Sequence, residues 1–94
     1  MTNVVYNVSA SGPFFLSYEA MRRFNNLGYK FPEDVPRHHP LLIHLYEKDK
    51  KALQGIGCRL NMKEIKGCIY TIISEYGKEE VKEPEEIKWI IVRS

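Results

Sequence analysis

The chain has 94 residues, 44% hydrophobic and 28% charged, with a net charge of +2. That length holds one domain, 1–94, with one core, and the charge excludes a strong electrostatic pull toward nucleic acid or an anionic membrane. Two cysteines are too few for a disulfide scaffold of this size, so Cys58 and Cys68 are expected as reduced thiols in the cytoplasm.

The opening MTNVVYNVSASG lacks the charged start and long apolar run of a signal peptide. Instead Asn3–Ser9 alternates, with Val4, Tyr6 and Val8 on one face, and predicts a strand. Ser11-Gly12-Pro13 breaks it. Ser17 is a good N-cap for a helix over Tyr18–Leu27, with Ala20, Met21, Phe24 and Leu27 on one face and Gly28 as the stop. Tyr29–Pro36 is a loop. A second helix starts at Pro40, whose missing amide costs nothing at a first helical position, and runs to Gly55. Leu42, Leu45, Tyr46, Asp49 and Leu53 form its stripe.

The remainder reads as β-structure. Cys58, Leu60 and Met62 alternate with Arg59, Asn61 and Lys63, and Lys66-Gly67 signals a turn. CIYTIISEY is β-branched and apolar on both faces, which predicts a central strand. Gly77-Lys78 supports a hairpin into Glu80–Lys82, Pro84 interrupts, and Trp89–Arg93 predicts a last strand. The order is β-α-α-β-β-β-β: an α+β fold with two helices packed on one face of a mostly antiparallel sheet. No apolar run approaches the roughly 20 residues that span a membrane, so no membrane partner is expected.

Several segments then form a joint pattern. Leu16-Ser17-Tyr18-Glu19-Ala20 follows an L-S-x-E-A helix start. Val35-Pro36-Arg37-His38-His39-Pro40-Leu41-Leu42-Ile43 follows an I/V-P-R-H-D-P-x-L-I/V helix entrance. Tyr70–Gly77 follows Y-x-I-x-E-Y-x-G with a spacing change, and Glu79–Glu83 with Trp89 follows an E-x-V-x-E strand and a late tryptophan. On these motifs, over about residues 14–89, the chain resembles a family of small uncharacterised proteins encoded by bacteriophages and large DNA viruses. The resemblance implies a viral accessory protein in the host cytoplasm and brings no reaction with it. Two departures stand out: His39 replaces the family's aspartate, the better N-cap, and the hairpin lacks the aspartate before glycine and is shortened near Gly77–Glu80.

Candidate sites follow from residue chemistry. Arg37, His38 and His39 precede a helix whose free amides favour anions, so a phosphate, nucleotide or partner carboxylate could sit there. Alternatively Arg37 pairs with Glu33, Asp34 or the sheet, and a histidine bonds the loop. A zinc site is not expected: His39 and His44 point about 140° apart on a helix, and the cysteines have no CxxC spacing. No nucleophile motif, P-loop or dinucleotide fingerprint occurs, and Glu79, Glu80, Glu83, Glu85 and Glu86 read as a solvated edge, so no catalytic residue and no cofactor is expected. Arg22, Arg23, Lys30, Lys48, Lys50 and Lys51 would form a basic face for nucleic acid if the two helices lay side by side. KWIIVRS is apolar on both faces, which suits a central strand or an interface with a second copy or a host protein.

These readings converge on a binding protein acting on a host protein or a small anionic ligand. The contact residues would be Arg37, His38, His39, Tyr46 and Trp89. A nucleic-acid-binding accessory protein and a small enzyme or enzyme subunit are the alternatives.

Overall fold

The computed structural model describes residues 1–87. The predicted strand Trp89–Arg93 therefore lies outside the described residues, as does Trp89 itself.

Strand β1 (Thr2–Asn7) pairs antiparallel with β2 (Leu60–Ile65), from Thr2 opposite Ile65 to Asn7 opposite Leu60. Between them in sequence lie the helices. Strands β3 (Thr71–Glu75) and β4 (Lys78–Lys82) form an antiparallel hairpin. The α+β architecture and the order of elements follow the pattern in the sequence, but the β-structure comes as two two-stranded ladders. Side chains join them: Val4 of β1, Ile65 of β2 and Val81 of β4 make a small buried cluster.

The face of β1 departs from the alternation read in its sequence. Val5 and Asn7 are fully buried, and so is Val4 from the opposite face. Val5 points into the main core, with Leu16, Phe24, Val35, Leu42 and Leu60, while Val4 joins the hairpin-side cluster. A strand covered on both faces loses the polar–apolar alternation of a half-exposed one.

Helix α1 (Tyr18–Asn26) begins as expected: the Ser17 hydroxyl accepts from the Ala20 amide at 3.3 Å. The same hydroxyl donates to the Ala52 carbonyl at 2.6 Å, so the cap is also a strut between helices. At the other end Tyr29 N–H donates to Phe24 O and Gly28 N–H to Asn25 O, a Schellman closure that needs the left-handed φ of +99° at Gly28. Phe24 is fully buried at the centre of the core; burying such a ring contributes roughly 1.5–3 kcal/mol. Leu27, at the cap, is left exposed.

The second predicted helix is two helices. Helix α2 (Pro40–Lys48) stops at Asp49, and the short α3 (Lys50–Leu53) restarts from it. Asp49 is extended (φ −161°, ψ 93°), and its carboxylate accepts from the Ala52 amide at 3.2 Å. A carboxylate on the inward stripe of a helix finds no partner in an apolar core, and capping a new helix satisfies it. The break lets Leu53 reach the core and turns α3 onto the start of α1, where Ser17 N–H donates to Leu53 O.

The hairpin turn is Tyr76-Gly77, both at positive φ (53° and 85°), the two-residue geometry that matches strand twist. Glycine at 77 is required twice over: a Cβ there would lie 2.8 Å from the Gly12 carbonyl oxygen. Among the described residues β3 pairs on one side alone, with β4, and Ile69 and Ile73 are exposed.

Candidate functional site

Arg37, His38 and His39 are consecutive, and each contacts a different part of the fold. Arg37 reaches β4. Its Nη2 donates to Glu79 Oε2 at 2.8 Å, its Nη1 donates to Glu79 Oε1, and its guanidinium stacks 3.5 Å from the centre of the Phe14 ring. The two side chains are 13% and 8% exposed. This is the fork-on-carboxylate geometry that arginine makes best. Of the partners weighed for Arg37, the sheet supplies the one it uses. The backbone carbonyl of Arg37 also accepts from Val5 N–H at 2.9 Å, tying the segment to β1.

Glu79 is therefore no part of a solvated acidic edge. It faces inward with Val81, two residues on, as period-two alternation requires. Besides Arg37 it accepts from the Asn7 backbone amide at 2.9 Å. Asn7 is fully buried and is the hub of this end of the molecule. Its Nδ2 donates to the carbonyls of Gly12 and Gly77, both at 2.7 Å, and its Oδ1 accepts from the amides of Ser9 and Arg59. The Cys58 thiol donates to the same oxygen at 3.5 Å. A buried amide with its donors and acceptors matched is rigid and specific, because any slip strands a polar group away from water. Three loops and two ladders are held by this one side chain.

His38 Nδ1 lies 2.7 Å from the Tyr70 hydroxyl, with the rings edge to face. Burial pushes the Tyr70 hydroxyl pKa up, against the pull of the nearby Arg37. His38 is exposed and lines a shallow polar pocket of about 450 Å³ with Pro40, His44 and Glu47; Arg37 is not in its lining.

His39 caps α2. Its Nδ1 accepts from the Leu41 amide at 3.1 Å, the role aspartate would play at that position. Its ring also packs edge-on to Phe24 and Tyr29, at 5.5 and 5.6 Å between centroids. Imidazole thus serves as the cap and adds a core contact that a side chain as short as aspartate would not make.

Tyr46 is half-buried, its hydroxyl 3.5 Å from Asn61 Oδ1 and its ring beneath Lys50 at 5.8 Å. Burial is the main cause raising its pKa. Tyr46 is not part of the Arg37–His39 cluster. Among the described residues no group of three or more His, Cys, Asp or Glu is placed to hold a metal ion. Cys58 is buried, and burial raises its thiol pKa, the reverse of what a nucleophile needs.

The basic residues assemble in part. The break at Asp49 opens a groove of about 540 Å³ between the start of α1 and the α2–α3 junction, and Arg23 and Lys48 stand on its walls. Arg22 lies beside it in a shallow recess with Glu19 and Asn26. Lys50 and Lys51 lie on α3 and do not line the groove.

Sequence reasoning missed Asn7 and Glu79. Glu79 is signalled by alternation with Val81, and Asn7 by alternation with Val5, but an acidic neighbourhood in one case and an apolar run in the other hide the signal. No helix among the described residues is long and apolar enough to cross a membrane. Comparison with protein-family models, with curated proteins and with solved structures returned no match for this chain.

Proposed function

We propose that this chain works by binding another protein, as a virus-encoded accessory protein acting on a host factor in the host cytoplasm. One observation carries the binding reading. The side chains suited to chemistry are occupied within the fold, while large apolar side chains stand in solvent. Arg37 and Glu79 bond each other, the Asn7 side chain bonds surrounding backbone, His39 caps a helix and Cys58 is buried. Ile56, Tyr76 and Tyr18 are 99%, 89% and 79% exposed. Exposed aromatic and aliphatic side chains on a rigid frame are what a protein partner buries. The viral and host assignment rests on the motif resemblance at Val35–Ile43. Sequestering an anionic nucleotide would call for Arg37, which is already neutralised by Glu79.

The test is affinity capture on the immobilised chain from a cleared host lysate, with the bound fraction analysed for proteins, nucleic acid and metabolites. A protein retained in stoichiometric amount, and displaced by excess soluble chain, is the expected result. Stoichiometric retention of a nucleotide or nucleic acid with no protein would overturn the reading.

A further inference from the structure

We propose that Asn7-Val8-Ser9 accepts an asparagine-linked glycan while the chain is unfolded, and that the glycan then bars the fold. The protein is thereby confined to compartments without that machinery, such as the cytosol. This rests on the Asn7 hub and not on the protein-binding reading. Asn-x-Ser, with any residue but proline between, is the acceptor signal for glycosylation. This is the one Asn-x-Ser/Thr triplet in the chain. A glycan is bulky and belongs on the surface, whereas Asn7 is fully buried at the end of β1.

The transfer joins Asn7 Nδ2 to the anomeric carbon of a lipid-diphosphate-linked oligosaccharide. The bond from that carbon to the diphosphate oxygen breaks, the lipid diphosphate leaves with the electron pair, and Nδ2 gives up one proton. In the folded chain neither Nδ2 hydrogen is free. The carbonyl oxygens of Gly12 and Gly77 each lie 2.7 Å from Nδ2, and that of Ser9 lies at 3.2 Å. A sugar carbon in place of either hydrogen would overlap one of these oxygens. Turning the amide over brings no relief: Oδ1 accepts from the amides of Ser9 and Arg59 at 3.0 and 3.1 Å, and a flip would set N–H against N–H. The loops around it have no slack, since even a Cβ on Gly77 would lie 2.8 Å from the Gly12 oxygen. Folding and glycosylation of Asn7 therefore exclude each other. Order of synthesis favours the glycan in a secretory lumen. Arg59 and Gly77, which close over Asn7, follow it by 52 and 70 positions, so the asparagine stays open until most of the chain has entered.

The test is translation of the full chain behind a cleavable signal peptide in the presence of eukaryotic microsomes. A glycosidase-sensitive mass shift reads the glycan, and limited proteolysis after detergent release reads folding. Two routes keep the glycan off. Ser9→Ala deletes the signal and costs the fold only the exposed bond from the Ser11 amide to the Ser9 hydroxyl. Excess acceptor tripeptide competes for the transferase and leaves the chain unchanged. Wild type is expected to gain one glycan and to be digested at least about tenfold faster than chain made without microsomes, because proteolysis tracks the open population. Lumenal chain kept free of glycan by either route should regain full resistance. Glycosylated chain as resistant as the Ser9→Ala chain would overturn the proposal. So would wild type that enters the lumen and stays unglycosylated, its fold closing over Asn7 first. Fast digestion of the tripeptide-protected chain would also sink it, since the lumen and not the glycan would then be the obstacle. None of these outcomes touches capture from lysate by chain that is already folded, so the protein-binding reading stands or falls separately.

Discussion

Replacing Glu79 with alanine should be among the most damaging single changes in this chain. It leaves the Arg37 guanidinium, 13% exposed, without its carboxylate, and the Asn7 amide without its acceptor. Removing one partner of a buried ion pair costs about 3–5 kcal/mol, and stranding a buried amide adds about 1–3 kcal/mol if water cannot reach it. Arg37 can relax toward solvent from its edge, so a net loss of about 3–5 kcal/mol is expected. A domain of this length has about 5–14 kcal/mol in all, and each kcal/mol lowers the midpoint by roughly 4–8 °C. Thermal and urea unfolding followed by circular dichroism should show a drop of about 12 °C or more. Arg37→Met keeps the packing on Phe14 and removes the charge, and the pair Arg37→Met/Glu79→Leu should recover much of the loss. The double-mutant cycle should return a coupling of about 2 kcal/mol or more. A Glu79→Ala protein within about 1 kcal/mol of wild type would refute the reasoning: the pair would then behave like an exposed one, and Arg37 would be free for a ligand.

Two further outcomes test the neighbouring residues. His39→Ala should lose about 1 kcal/mol for the cap and about as much again for the contacts with Phe24 and Tyr29, whereas His39→Asp should keep the first term; equal losses would show that the imidazole cap contributes nothing. Iodoacetamide at mildly alkaline pH should modify exposed Cys68 well before buried Cys58, and mass spectrometry of the two cysteine peptides reads the order. Desolvation raises the Cys58 pKa in the folded chain. Its contribution to stability is therefore full below the unfolded thiol pKa and lost as pH rises through the folded value. Modification of both thiols at one rate in folded protein would contradict the burial.

The features legible along the chain are local ones. Ser17 before an apolar-periodic segment, Gly28 after it, and Pro40 at a first helical turn mark helix ends because the bonds that satisfy those ends lie within a few residues. The hairpin is legible for the same reason, although its turn falls at Tyr76-Gly77, one residue before the Gly77-Lys78 signal, because Tyr76 also takes a positive φ. The break at Asp49 was also local, and was hidden because an apolar stripe on either side of it read as one continuous helix. Long-range packing set the rest. Arg37 and Glu79 are 42 positions apart, and Asn7 and Gly77 are 70 apart. Alternation with Val81 turns Glu79 inward, but nothing in a linear pattern names Arg37 as its partner. The segment Val35–Pro40 has the same history. Its residue types suggested an anion site, and chain packing brought a carboxylate of the protein's own to that arginine first.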